Sequence, residues 1–143
     1  MLLSRRPGWP GLWLPVVAYM AMLFWFSSQP TLPPLPGQLS PYYAHAVAYC
    51  GLSLLIVRAL AVADLRRVTW LIVAGAATIA TLYGVSDEYH QRFVPGRTFD
   101  VFDMVADGIG ALAGAGGVGA WSIISRRFDS PRSAPPSLPN ERS

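Results

Sequence analysis

Charge is what this chain has least of. Asp, Glu, Lys and Arg make up only 13% of its 143 residues, about half the share of an average soluble domain. A soluble chain of this length needs charge to cover its surface, so the composition excludes most soluble folds. Lysine is absent altogether. All 11 basic residues are arginine, set against 8 acids, for a formal net charge of +3. An excess that small, scattered along the chain, excludes a nucleic-acid footprint. The single cysteine, Cys50, excludes an intrachain disulfide and any cysteine-based zinc cluster. Phosphate-binding glycine loops and internal repeats are also missing.

Hydrophobic residue types, at 52%, take the place of the missing charge. They fall into four runs, at about Trp9–Phe26, Tyr42–Ala63, Val68–Val85 and Val101–Ile124. Each is near the ~20 residues that a helix needs to cross a bilayer. The expected fold is therefore all-α, a polytopic membrane protein of four transmembrane helices. Pro15 falls inside the first run, where it is expected to kink the helix, a defect that membrane helices tolerate. Arg5 and Arg6 ahead of that run also fit a signal peptide. However, the run is bulky (Met20, Met22, Phe24, Trp25, Phe26) and no small-residue cleavage site follows it, so it is read as a retained helix.

Four crossings would put nine arginines on one side: Arg5, Arg6, Arg58, Arg66, Arg67, Arg126, Arg127, Arg132 and Arg142. Only Arg92 and Arg97 fall on the other. Positive charge is retained in the cytoplasm, so both termini are expected there, N-in and C-in. Residues 1–8 then form a cytoplasmic N-terminus and 9–127 the membrane domain. Residues 128–143, rich in Pro and Ser, form a disordered cytoplasmic tail. The outer loop before the second span carries five prolines between Pro30 and Pro41 and is expected to be stiff and extended.

Five of the eight acids lie between Asp87 and Asp107, together with His90, Gln91, Arg92 and Arg97. Asp100, Asp103, Asp107, Gly110, Gly114 and Gly117 recur every three or four residues, so they share one face of a helix. Carboxylates occupy its outer part and glycines the part below. Asp107 lies roughly 10 Å deeper than Asp100 at 1.5 Å per residue. A carboxylate at that depth costs about 2–3 kcal/mol against lipid, so it should face the bundle interior. The glycines should let a neighbouring helix come close. His45 and Tyr49, four apart near the outer end of the second span, are expected at similar depth. Pro95-Gly96 reads as a tight turn, flanked by Arg92 and Arg97, which together suit a phosphate or carboxylate.

The run DEYHQRFVPGRTFDVFDMVADGIG resembles the VanZ-like family of small membrane proteins. The matching elements are Asp87-Glu88, Gln91, Phe93, Pro95-Gly96-Arg97, Asp100, Asp103, Gly108 and Gly110. Upstream, Ser27-Ser28-Gln29-Pro30 and the His45/Tyr49 pair are similar to the family's pattern, and the resemblance extends over about residues 12 to 124. Two positions depart from it. Asp107 stands where members more often carry Asn, and Tyr43-Ala44 precede His45 without a lysine. The family's namesake is associated with resistance to the glycopeptide teicoplanin. The resemblance thus implies a bacterial inner-membrane protein of the cell envelope, with membrane lipids or a lipid-linked cell-wall precursor as partners.

The candidate catalytic residues are Asp87, Glu88, His90, Asp103 and Asp107. Substrate binding is expected from His45, Gln91, Arg92 and Arg97, with the arginines on an anionic group. An oxygen-rich site with a histidine also suits a divalent metal, though no spacing fixes one. Each feature has a plainer reading. Asp100 fits a helix cap, Asp103 and Asp107 fit salt bridges to Arg92 or Arg97, and His45 fits a buried hydrogen-bonding histidine. Cys50 and the glycines of the fourth span read as packing, and the tryptophans as interface anchors. Three functions stay open at this point: an enzyme acting on a lipid-linked or envelope substrate, a non-catalytic binder of a head group or drug, and an ion-paired scaffold. Proton-coupled transport ranks behind them, and homo-oligomerisation is compatible with all.

Overall fold

The structure, a computed structural model, describes residues 7–32 and 40–128. The expected N-terminal arginine pair, part of the proline-rich loop and the tail from residue 129 lie outside the described residues. Within them are four α-helices, α1 (Trp9–Ser27), α2 (Pro41–Leu60), α3 (Trp70–Gln91) and α4 (Val101–Phe128), and no strand. All four are long and apolar enough to cross a membrane. Their outward faces keep large apolar side chains in the open, among them Leu71, Val47, Leu112 and Trp9. Water would penalise such faces, whereas lipid does not. The chain is a multi-pass membrane protein.

α2 forms the centre, packed most extensively on α4, while α3 covers both and α1 rests mainly on α2. The core is made of Leu52, Ile56 and Val57 from α2, Ala76, Ala77 and Ala80 from α3, and Ala111 and Ala115 from α4. Small residues on α3 and α4 keep the helices close. A Cβ on Gly110 would run into the Ala46 carbonyl, and one on Gly114 into Ser53 and Cys50. Gly117 behaves differently: nothing lies near its missing Cβ, so it is no part of the close approach expected for the whole glycine face.

Helix ends depart from the apolar runs for local reasons. α2 stops at Leu60 because Val62 and Ala63 take left-handed φ values of 52° and 59°. The chain then makes a short 3-10 turn, Leu65–Arg67, whose Asp64 side chain accepts from the Arg66 N–H. α3 starts at Trp70 under a Thr69 cap, with Thr69 Oγ1 accepting from the Ile72 N–H (3.3 Å). It then continues past Val85 to Gln91, carrying Asp87, Glu88 and His90 on helix.

α1 runs through Pro15 without interruption. A proline has no N–H to give the carbonyl four residues back, which here is Gly11. That carbonyl is met instead by Arg58, whose Nη1 donates to Gly11 O at 3.3 Å. At the same end of the bundle Arg126 Nη2 donates to Val68 O (2.8 Å) and Arg67 pairs with Asp64 (2.9 Å). The opposite end holds Arg92 and Arg97. The two ends therefore differ in charge as the sequence leads one to expect.

Candidate functional site

The polar residues gather at the end where α1 and α3 finish and α2 and α4 begin. α4 starts there because Asp100 caps it, its Oδ1 accepting the Phe102 N–H at 2.8 Å. Tyr42 donates to the other oxygen of Asp100 at 3.3 Å. A second carboxylate reaches the same helix start from α3, with Glu88 Oε1 accepting the Asp100 N–H at 2.6 Å. Glu88 is thereby fixed against α4, and its Oε2 is buried with no hydrogen-bond partner among the described residues.

One and two turns further along α4, Asp103 and Asp107 face α2 and meet His45. His45 Nδ1 lies 3.0 Å from Asp107 Oδ1, a hydrogen bond. Nε2 lies 3.6 Å from Asp103 Oδ2, an electrostatic contact too long for one. Asp107 is buried, as its depth required. It fits because α3 presents Gly84 there: a Cβ on Gly84 would sit 2.7 Å from Asp107 Oδ2. No ion pair joins either acid to Arg92 or Arg97 among the described residues.

His45 also borders a cavity of about 280 Å³ between α1, α2 and α3. Tyr19, Met22, Leu23, Phe26 and Leu32 line it on the α1 side, and Ala44 and Ala48 on α2. The remaining wall is polar: His45, Tyr49, Ser27, Asp87, Gln91 and Arg97. His45 is thus, among the described residues, the lining residue hydrogen-bonded to an α4 carboxylate, that of Asp107.

The two arginines do not share a pocket. Val94–Arg97 forms a turn in which Arg97 N–H donates to Val94 O (3.1 Å), with Pro95 and Gly96 (φ 83°) in its middle, as a type II turn requires. The turn aims Arg97 at α1, where Nε donates to Gln29 O (3.0 Å) and Nη2 to Phe26 O (3.3 Å). A cation on the last carbonyls of a helix also suits its dipole. Arg92 lies elsewhere, its guanidinium over the rings of Tyr89 (5.4 Å) and Phe99 (5.7 Å). His90 lies outside the cavity lining as well. Its ring packs on Phe24 with centroids 4.5 Å apart, and Nε2 is 3.2 Å from Ser28 Oγ.

The expected residues therefore divide into three sets. His45, Asp103 and Asp107 form one cluster, with Glu88 and Asp100 at its edge. Asp87, Gln91 and Arg97 line the cavity, while His90 and Arg92 join helix ends. Among the described residues, no group of three or more His, Cys, Asp or Glu side chains is arranged to hold a metal ion. Sequence reasoning did not mark Ser27, Tyr49 or Gly84 as site residues. Ser27 and Tyr49 stand within recognisable local patterns, whereas nothing in the sequence marks Gly84 as the space beside Asp107.

The family model described as VanZ/LLP1 matches residues 12–122. No curated protein and no solved structure matches the chain.

Proposed function

This chain belongs to the VanZ/LLP1 family, and we propose that it acts on or binds a lipid-linked substrate of the cell envelope at the cavity beside His45. The observation that carries this reading is the cavity's mixed lining, apolar side chains such as Met22, Leu23 and Phe26 on one side and His45, Tyr49, Asp87, Gln91 and Arg97 on the other. An amphiphile has the same division, and it reaches such a site sideways from the bilayer. In chemistry, His45 is the proton acceptor. With Nδ1–H donated to Asp107, the neutral ring carries its lone pair on Nε2, the state in which an imidazole takes a proton from a hydroxyl or water. Asp107 orients the ring, and Asp103 favours the imidazolium formed. Arg97 flanks the cavity and supplies the positive charge for an anionic linkage.

A non-catalytic binder is the second reading, and one observation favours it. No Ser, Thr or Cys side chain is hydrogen-bonded to His45 among the described residues, so the resting geometry holds no activated nucleophile. The two readings part in a single experiment. Wild type and His45→Gln are purified in mild detergent, incubated with envelope lipid extract, and analysed by mass spectrometry. A new product with wild type but not with His45→Gln supports the enzyme. Co-purifying lipid without any product supports the binder, and neither lipid nor product leaves an ion-paired scaffold. A role in teicoplanin resistance, in the bacterial inner membrane, belongs to the same proposal and is read as drug susceptibility with and without the gene. The orientation with both termini cytoplasmic rests on the arginine distribution, and reporter fusions at each terminus test it.

A further inference from the structure

The polar wall of the cavity contains an unusual set of atoms. Ser27 is 6% exposed, Tyr49 2% and Asp87 6%. Each carries a buried oxygen with no hydrogen-bond partner among the described residues: Ser27 Oγ, Tyr49 Oη and Asp87 Oδ1. All three side chains line the same cavity. They come from three different helices, so their meeting there is a product of the bundle rather than of any one segment. Leaving a buried polar atom unpaired forfeits its hydration without replacing it. Three around one space is a cost that a bound ligand relieves.

The chemistry of the wall restricts that ligand. Asp87 Oδ1 only accepts a hydrogen bond unless protonated, whereas the Ser27 and Tyr49 hydroxyls both donate and accept. An anionic group inside the cavity meets the Asp87 carboxyl, and a cationic group meets the Arg97 guanidinium, two of whose nitrogens already donate to the Phe26 and Gln29 carbonyls. A group that both donates and accepts without net charge meets neither penalty. We infer that the meeting of Ser27, Tyr49 and Asp87 in this cavity forms a subsite for an uncharged, hydroxyl-bearing head group, a sugar or a glycerol unit, carried on an apolar chain. The volume of about 280 Å³ is close to the lower end of small-molecule pockets (~300 Å³), enough for a compact polyol rather than an extended glycan. This deepens the proposed function and rests on its reading of the cavity. Any charged linkage of the substrate then lies at the rim by Arg97, outside the subsite.

The test uses full-length protein in phosphatidylcholine nanodiscs and four probes with the same octyl tail: octyl glucoside, octylglycerol, octyl phosphate and octyltrimethylammonium. Native mass spectrometry measures the bound fraction below each probe's micelle-forming concentration. Octyl glucoside or octylglycerol should bind about tenfold more tightly than either charged probe, one lost hydrogen bond or one like-charge contact sufficing for that factor. The preferred one of the two tells a sugar source from a glycerol source. Tyr49→Phe removes a hydroxyl that has no hydrogen-bond partner among the described residues, whereas Ser27→Ala also removes the hydroxyl that faces the Asp87 carboxyl. Tyr49→Phe should leave the melting temperature unchanged or raised, and both variants should weaken the neutral probes about three- to tenfold. A residue of merely structural role does not show that opposition. Tighter binding of a charged probe, or Tyr49→Phe and Ser27→Ala variants that bind as wild type, would overturn the uncharged subsite while leaving the cavity a ligand site. Binding of none of the four, or binding indifferent to an Ala44→Trp plug in the lining, would overturn the cavity reading as well.

Discussion

His45 and Asp107 stand 62 positions apart in sequence and make a hydrogen bond of 3.0 Å, Nδ1 to Oδ1, with the carboxyl buried between three helices. This contact joins the carboxylate face of α4 to the cavity. Asp107→Ala leaves Nδ1 without its partner and should cost about 1–3 kcal/mol of stability. A double-mutant cycle with His45→Ala, followed by thermal unfolding in detergent, should show positive coupling. Additive losses would mean that the two side chains do not interact.

The room for Asp107 comes from Gly84. An alanine there brings its Cβ to 2.7 Å from Asp107 Oδ2. Gly84→Ala should therefore cost about 1–3 kcal/mol by overpacking, although alanine is the better helix former. It should also reduce whichever activity or binding Asp107→Ala reduces. Unfolding curves and the lipid assay, run on both variants, check the pair together.

The glycines of α4 should separate sharply. Gly110→Val drives a branched side chain into the Ala46 backbone and should abolish the folded bundle. Gly117→Ala meets open space and should stabilise by about 0.5–1 kcal/mol through helix propensity alone. Yield and melting temperature in the same detergent are sufficient to read both.

Arg97 and Arg92 should differ in what they lose. Arg97→Lys keeps the charge but forfeits a planar fork held on the Phe26 and Gln29 carbonyls, at and just past the end of α1, and should cost about 1–3 kcal/mol as those carbonyls lose their donors. Arg92→Ala gives up ring contacts at an exposed site and should cost about 0.5–1 kcal/mol. Proteolytic sensitivity at the end of α1 should rise only in the Arg97 variant.

Arg58 answers a vacancy made by Pro15. Arg58→Leu leaves the Gly11 carbonyl unpaired and should destabilise by about 1–3 kcal/mol. In a Pro15→Ala background, where the helix can supply the missing N–H, the same change should cost less than half as much. Equal losses in the two backgrounds, measured by thermal unfolding, would count against the link.

The four spans, the arginine-poor end and the polar face of α4 were all legible in the chain, because hydropathy and helical period are local properties. The same locality marks only the apolar part of α3: the run stops at Val85, while the helix continues to Gln91. It also makes every glycine on the α4 face look alike, although only a neighbouring helix distinguishes Gly110 from Gly117.

The sequence alone determined a four-helix membrane protein with its polar residues concentrated at one end. Tertiary structure decided which of them meet. Asp103 and Asp107 went to His45 rather than to arginine, Arg97 went to the end of α1, and Ser27, Tyr49 and Asp87 came together around one cavity. Such partnerships depend on how far apart the helices stand and how each is rotated. Those distances are set by small residues such as Gly84, Gly110 and Gly114, whose effect exists only when a second helix is beside them.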